Sequence, residues 1–212
     1  VHEPVPPPYD GGTIIEPGGN GKRRKFYVDR GHVEIVADVL YQFDSHGKQL
    51  RVVKYTEYAA ESVRSVYPNA AELRAKWTSS EERSHILAAL QERGIALDEL
   101  MRATGQQEAD PFDLLCHVAF SLPVRSRSER AELLRKNKPD FFQKHGEEAR
   151  KVLNEILDKY VEYGVSEFKV PDILQVPPIS EHGNVMEISH LFGGAENLRS
   201  AVADLQALLY TN

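Results

Sequence analysis

The feature that most constrains this chain is the density of helix starts written into everything after Tyr55. Asn69 with Glu72, Ser79 with Glu82 and Ser126 with Glu129 each set a capping side chain three residues before a carboxylate that can reach back to it. Asp110-Pro111 offers the same kind of start, with proline at the first helical position, where its missing N–H costs nothing. Gly94, Gly105, Gly146 and Gly164 mark stops or junctions. Between them the apolar residues recur at three-four spacing. Val152, Leu153, Ile156, Leu157, Tyr160 and Val161 form one stripe over about 147–163, and Leu198, Ala201, Val202, Leu205, Leu208 and Leu209 form another near the end. Pro171, Pro177 and Pro178 isolate a short helical turn around Ile173 and Leu174. No period of 20 to 50 residues recurs, so the pattern predicts a globular helical cluster rather than a solenoid.

The first quarter reads differently. Residues 1–25 hold five prolines and five glycines, which precludes a helix and predicts an extended interdomain linker. It ends in four consecutive cations, Lys22, Arg23, Arg24 and Lys25, suited to solvent or to a phosphate. From Phe26 the period falls to two, with Val33, Ile35, Ala37, Val39, Tyr41 and Phe43 expected on one face and Glu34, Asp38, Gln42 and Asp44 on the other. Asp29-Arg30-Gly31 and Ser45-His46-Gly47 supply turns. The expectation is an antiparallel meander of Phe26–Val28, His32–Asp44 and Lys48–Val53, whose apolar face needs a cover. The fold class is therefore α+β, mainly α: a linker over 1–25, a β-meander over 26–54 and a helical C-terminal domain over 55–212.

With 212 residues, 41% of them hydrophobic and 27% charged, a packed core is expected and wholesale disorder is not. The net charge of -6 repels a phosphate backbone overall, so a nucleic-acid contact would have to be local. A single cysteine, Cys116, excludes an internal disulfide and a multi-thiolate metal site, and with no bilayer-spanning apolar run or signal peptide it points to the cytoplasm. The chain starts on Val1 in a proline-rich stretch, which reads as a fragment of something longer.

Templates for catalysis find little purchase. Gly18-Gly19-Asn20-Gly21-Lys22 comes nearest to a phosphate-binding loop, but Glu16 stands where the first glycine belongs and Arg23 where the hydroxyl belongs. The eight histidines are scattered, and the closest pair, His182 and His190, lies eight residues apart. Cys116 and His117 are neighbours, which on a helix point about 100° apart, so Cys116 is expected to pack with Leu114, Leu115, Val118, Ala119 and Phe120. The best local cluster of charge is Arg125, Arg127, Arg130, Arg135, Lys136 and Lys138 against Glu129 and Glu132. It fits a solvated helix with dipole-matched cations, a DNA contact or an acidic protein partner.

Several stretches resemble the C-terminal region of the R (restriction) subunit of type I restriction-modification enzymes of the EcoEI-like type. They are Arg24-Lys25-Phe26-Tyr27-Val28-Asp29 with Val33-Glu34-Ile35-Val36, the run from Asp110 to Phe120, Leu153 to Tyr160, and Leu191-Phe192-Gly193-Gly194. The resemblance implies a noncatalytic piece of a site-specific deoxyribonuclease with ATP-dependent DNA translocation. No cofactor is expected in this fragment; ATP and magnesium would belong to motor and nuclease domains elsewhere. Its implied partners are the modification and specificity subunits of the methyltransferase, with no membrane, and DNA is a further possible partner through the basic residues above. Leu191, Phe192 and Tyr210 are the candidate partner anchors, because aromatic residues tend to dominate interface energy.

Overall fold

A computed structural model describes residues 14–15, 24–28, 31–36, 39–164 and 168–211. Five antiparallel strands come first, in spatial order of sequence: β1 (Ile14–Ile15), β2 (Arg24–Val28), β3 (Gly31–Val36), β4 (Val39–Asp44) and β5 (Gln49–Lys54). Ten α-helices follow among the described residues: α1 (Tyr55–Val66), α2 (Ala70–Trp77), α3 (Ser80–Glu92), α4 (Leu97–Thr104), α5 (Pro111–Phe120), α6 (Arg127–Asn137), α7 (Pro139–Gln143), α8 (Glu147–Tyr163), α9 (Val185–Leu191) and α10 (Ala195–Leu209). Two 3-10 turns, Asp172–Gln175 and Ile179–His182, bridge α8 and α9. The α+β, mainly α class is as expected.

The meander needs two corrections. Ile14–Ile15, inside the expected linker, pairs with Lys25 and Arg24 and adds an edge strand; the rest of residues 1–23 lies outside the described residues. The long strand expected over 32–44 is a hairpin, with Val36 paired to Val39. That pairing inverts the parity of the apolar pattern. Cross-strand partners share a face, so Ile35 stands beside Leu40 and Val33 beside Gln42, while Glu34 stands beside Tyr41 and His32 beside Phe43. Tyr41 and Phe43 therefore leave the face of Val33 and Ile35. The inward residues Phe26, Val33, Ile35, Leu40 and Val53 are all buried.

The helices cover that face. α1 and α3 pack on the sheet, and two tyrosines of α1 tie the connection from α3 to α4 to that helix. Tyr55 accepts from the Ala96 amide at 2.8 Å, and Tyr58 donates to the Arg93 carbonyl at 2.9 Å. Gly94 has a φ of +78°, and a Cβ there would stand 2.8 Å from Val33 Cγ2, so both backbone angle and space call for glycine. Sheet and helices consequently share one hydrophobic core.

The helix starts follow the sequence. Asn69, Ser79 and Ser126 accept from the amides of Glu72, Glu82 and Glu129, and Asp110 accepts from Phe112 N. Gly146 caps the start of α8, and the apolar stripes of α8 and α10 face inward, with Ile173 and Leu174 buried between the prolines. A reciprocal box at Asn184 and Glu187 starts α9 with the same residue spacing.

Candidate functional site

The strongest concentration of charge in the interior lies where α5, α6, α8 and α10 meet. Asp110 caps α5 and Asp113 lies one turn on, both on the side turned toward α6. Arg130 of α6 is 3% exposed and grips Asp113 in a fork, through Nε to one carboxylate oxygen and Nη2 to the other at 2.8 Å. Its remaining Nη1 donates to the carbonyl of Leu209 at the end of α10. Asp110 is fully buried and accepts from the Tyr160 hydroxyl at 2.7 Å and the Tyr210 hydroxyl at 3.2 Å, besides the Phe112 amide at 2.8 Å. The rings of Phe112 and Tyr210 flank the guanidinium at 5.2 and 4.9 Å from their centroids, and Trp77 closes the aromatic cluster.

A second strut extends this network. Arg83 is buried, donates to the Trp77 carbonyl at 3.0 Å, and contacts Gln206 Oε1 at 3.3 Å; Gln206 in turn donates to the Phe168 carbonyl at 3.1 Å. One connected set of hydrogen bonds and tilted or edge-to-face rings thus ties the α2–α3 region to the end of the chain.

The electrostatics suit a structural role. Burial opposes the charge on Arg130, but its hydrogen bond to Asp113 and the nearby carboxylates outweigh that, holding its pKa above the usual value. Burial raises the pKa of Asp110 despite the opposing pull of Arg130 and the Tyr160 bond. Tyr160 and Tyr210 are likewise raised, first by burial and then by the Asp110 charge, so both hydroxyls stay protonated as donors. Each carboxylate is fully engaged.

The residues singled out in the sequence fall into two sets. Arg130 is interior and so cannot be one of the possible DNA contacts, whereas Arg135 is partly exposed and held by Asn154 Oδ1 at 3.1 Å and Asp158 Oδ1 at 2.5 Å. Arg127 is half-buried, its guanidinium 3.4 Å from where a Cβ on Gly164 would stand. Arg125 and Lys136 line a shallow surface hollow together with Glu129, Glu132 and Leu133, so carboxylates interleave the cations there. Lys136 is exposed and Lys138 half-buried. Lys25 lies on β2; Arg24 is placed by its backbone pairing, and Lys22 and Arg23 lie outside the described residues.

Of the expected partner anchors, Tyr210 is a core residue with 0% exposure, and Phe192 is buried at 9% against His145. Leu191 remains exposed at 36%, joined on α9 by the more exposed Met186, which the sequence pattern did not single out. Cys116 is buried as expected, and desolvation pushes its thiol up to about 12, far from a reactive thiolate. His117 Nδ1 instead meets the Leu122 carbonyl at 2.9 Å. His182 sits apart from His190, between Glu155 at 3.0 Å and Glu148 at 3.5 Å. No group of three or more metal-ligating side chains forms among the described residues, and no described helix is long and apolar enough to cross a membrane.

The run that carries the buried network, Asp110 to Phe120, falls inside residues 53–210, which match the family described as EcoEI R protein C-terminal. The chain belongs to that family. It is the C-terminal domain of a type I restriction enzyme R subunit. A relative from Escherichia coli, the type I restriction enzyme EcoAI endonuclease subunit, is 32% identical over 217 residues, covering 99% of this chain. The R-protein domain spans only 26% of that relative's length. No solved structure matches it. The family match opens at Val53, so it takes in the helices and the end of β5, whereas the likeness to the relative extends over the sheet as well.

Proposed function

We propose that this R-protein domain is a noncatalytic assembly module that docks an ATP-dependent DNA translocase and endonuclease, in the cytoplasm, onto the methyltransferase core of modification and specificity subunits. The observation that carries the reading is the fate of the reactive side chains. Asp110, Asp113, Arg130, Tyr160 and Tyr210 are spent on holding helices together, with their hydrogen bonds directed inward, and Cys116 is buried in the core. A rigid scaffold is what a docking module requires, because a preorganised surface loses less entropy on association.

The anchor most consistent with this reading is the exposed side of α9, where Met186 and Leu191 stand in solvent and the Asn184–Glu187 box fixes the helix start. A buried patch of about 800 Å² per partner would hold a stable complex. Sedimentation of the purified chain with the methyltransferase tests it. Co-migration is expected, weakened in Met186→Glu with Leu191→Glu while circular dichroism stays unchanged. A folded chain that sediments alone at micromolar concentrations of both partners would remove the reading.

A further inference from the structure

Between α1, α2 and α3 the outer surface of the helical cluster opens into a hollow that the docking reading does not use. Its floor is Leu73 of α2 and Leu115 of α5, both fully buried, and Val63 of α1 with Ile86 and Leu90 of α3 form its walls. Val66, 50% exposed, and the exposed Ala89 stand at its rim. The hollow measures about 40 Å³, room for about three water-sized groups and the scale of the branched end of one leucine. Close packing ordinarily shuts such an opening, because lining atoms without neighbours forfeit dispersion and wet apolar surface is unfavourable.

Among the lining residues only Arg93 carries a charge. It ends α3, where the Tyr58 hydroxyl donates to its carbonyl at 2.9 Å and holds the root of the side chain in place. Its Nη1 reaches the Ser62 carbonyl at 3.3 Å and Ser65 Oγ at 3.2 Å, both neutral acceptors on α1. No carboxylate among the described residues pairs with this guanidinium, whose fork of donors is matched to one. Hollow and cation together define an occupant, one aliphatic side chain with an acidic residue beside it.

Strength decides where that occupant comes from. Burying one aliphatic side chain improves an equilibrium by about ten- to a hundredfold, far short of what holds a separate partner at micromolar concentration. Units already joined in one chain have largely met the cost of coming together, and a contact of this size is enough to bias how they sit. The domain spans only 26% of the length of its Escherichia coli relative, so most of an R protein of that size lies outside it and is tethered to it. We propose that the hollow seats an aliphatic side chain, flanked by a carboxylate that pairs with Arg93, from a segment of the R protein outside these 212 residues. The contact fixes how the domain sits on the rest of its own chain. It goes beyond the docking reading and shares no residue with α9, so either can fail alone.

The test places the photo-reactive residue p-benzoylphenylalanine at Val66 in the full-length R protein and irradiates it with and without methyltransferase. Mass spectrometry is expected to find an internal cross-link to a peptide from outside the domain, with an aliphatic residue beside an aspartate or glutamate, at equal yield in both samples. Ala89→Phe, which plugs the hollow from an exposed position, is expected to lower that yield about tenfold, the range of one buried side chain, with circular dichroism unchanged. Arg93→Gln removes the charge but keeps a donor, and a severalfold lower yield is expected. No internal cross-link, a yield indifferent to Ala89→Phe, or a product joining the methyltransferase or a second copy of the R protein would overturn the proposal. If Ala89→Phe does not fold, Arg93→Gln carries the decision, and an unchanged yield in that variant would likewise overturn it.

Discussion

In the sheet, the buried side chains on the helix-covered face, Phe26, Val33, Ile35, Leu40 and Val53, are all apolar. Where α5, α6, α8 and α10 converge, two carboxylates, a guanidinium and two hydroxyls are buried together instead. The two regions join the same core but are held in place by different physics. Apolar contact is nondirectional and tolerates exchange between side chains of similar volume. A buried ionic network fixes angles and partners, and it is intolerant of losing one member because what remains is an uncompensated charge.

The sharpest way to break that comparison is Arg130→Ala, which strands Asp110 and Asp113 in the interior. We expect a loss of about 3–5 kcal/mol in urea unfolding; a loss below 1 kcal/mol would mean the network adds little. In the sheet, Leu40→Ala is expected to cost about 2–5 kcal/mol, but Leu40→Met less than about 1.5 kcal/mol, because only volume matters there. If Leu40→Met were as damaging as Leu40→Ala, the sheet would have to be called as specific as the helices. Tyr160→Phe keeps the ring and removes one donor to Asp110, and a decrease of about 1–3 kcal/mol should follow in the same measurement. Ser126→Ala, which removes the reciprocal cap ahead of the Arg130 helix, should lower stability by about 1 kcal/mol.

The smallest effect concerns acid. His145 packs between Phe141 and Phe192, and burial together with the neighbouring Lys144 lowers its pKa below 6.5, against an opposing pull from Asp204. The unfolded chain therefore takes up a proton first as pH falls through 6.5, so this residue's contribution is present above that pH and is lost below it. Thermal unfolding between pH 7.5 and 5 should show a shallower decline for His145→Gln than for the parent sequence. Equal slopes would show that the imidazole does not sense acid through its packing.

Local signals carried much of this far. The caps at Asn69, Ser79, Asp110 and Ser126 act within three residues of the chain, so their spacing alone locates the helix starts. The same spacing at Asn184 and Glu187 was there to be read. The 32–44 segment was less legible, because a strict alternation continues through a two-residue connection with no mark of the change in face. Arg130 shows the limit for site residues. In the sequence it is one cation among six, and nothing near it in the chain announces that Asp113, 17 residues before it, and the Leu209 carbonyl, 79 residues after it, converge on its guanidinium.

The sequence by itself determined the class of fold, the starts of α2, α3, α5 and α6, the burial of Cys116 and the family to which the domain belongs, since each rests on residues close together or on an ordered set of short runs. Only the tertiary structure decided which cations face solvent, which aromatic residues are core, and which side of the sheet is left outside. Those outcomes depend on groups brought together from 50 to 100 residues apart, as Tyr160 and Tyr210 are on Asp110. Burial and pairing belong to the space a side chain enters, which its neighbours along the chain do not specify.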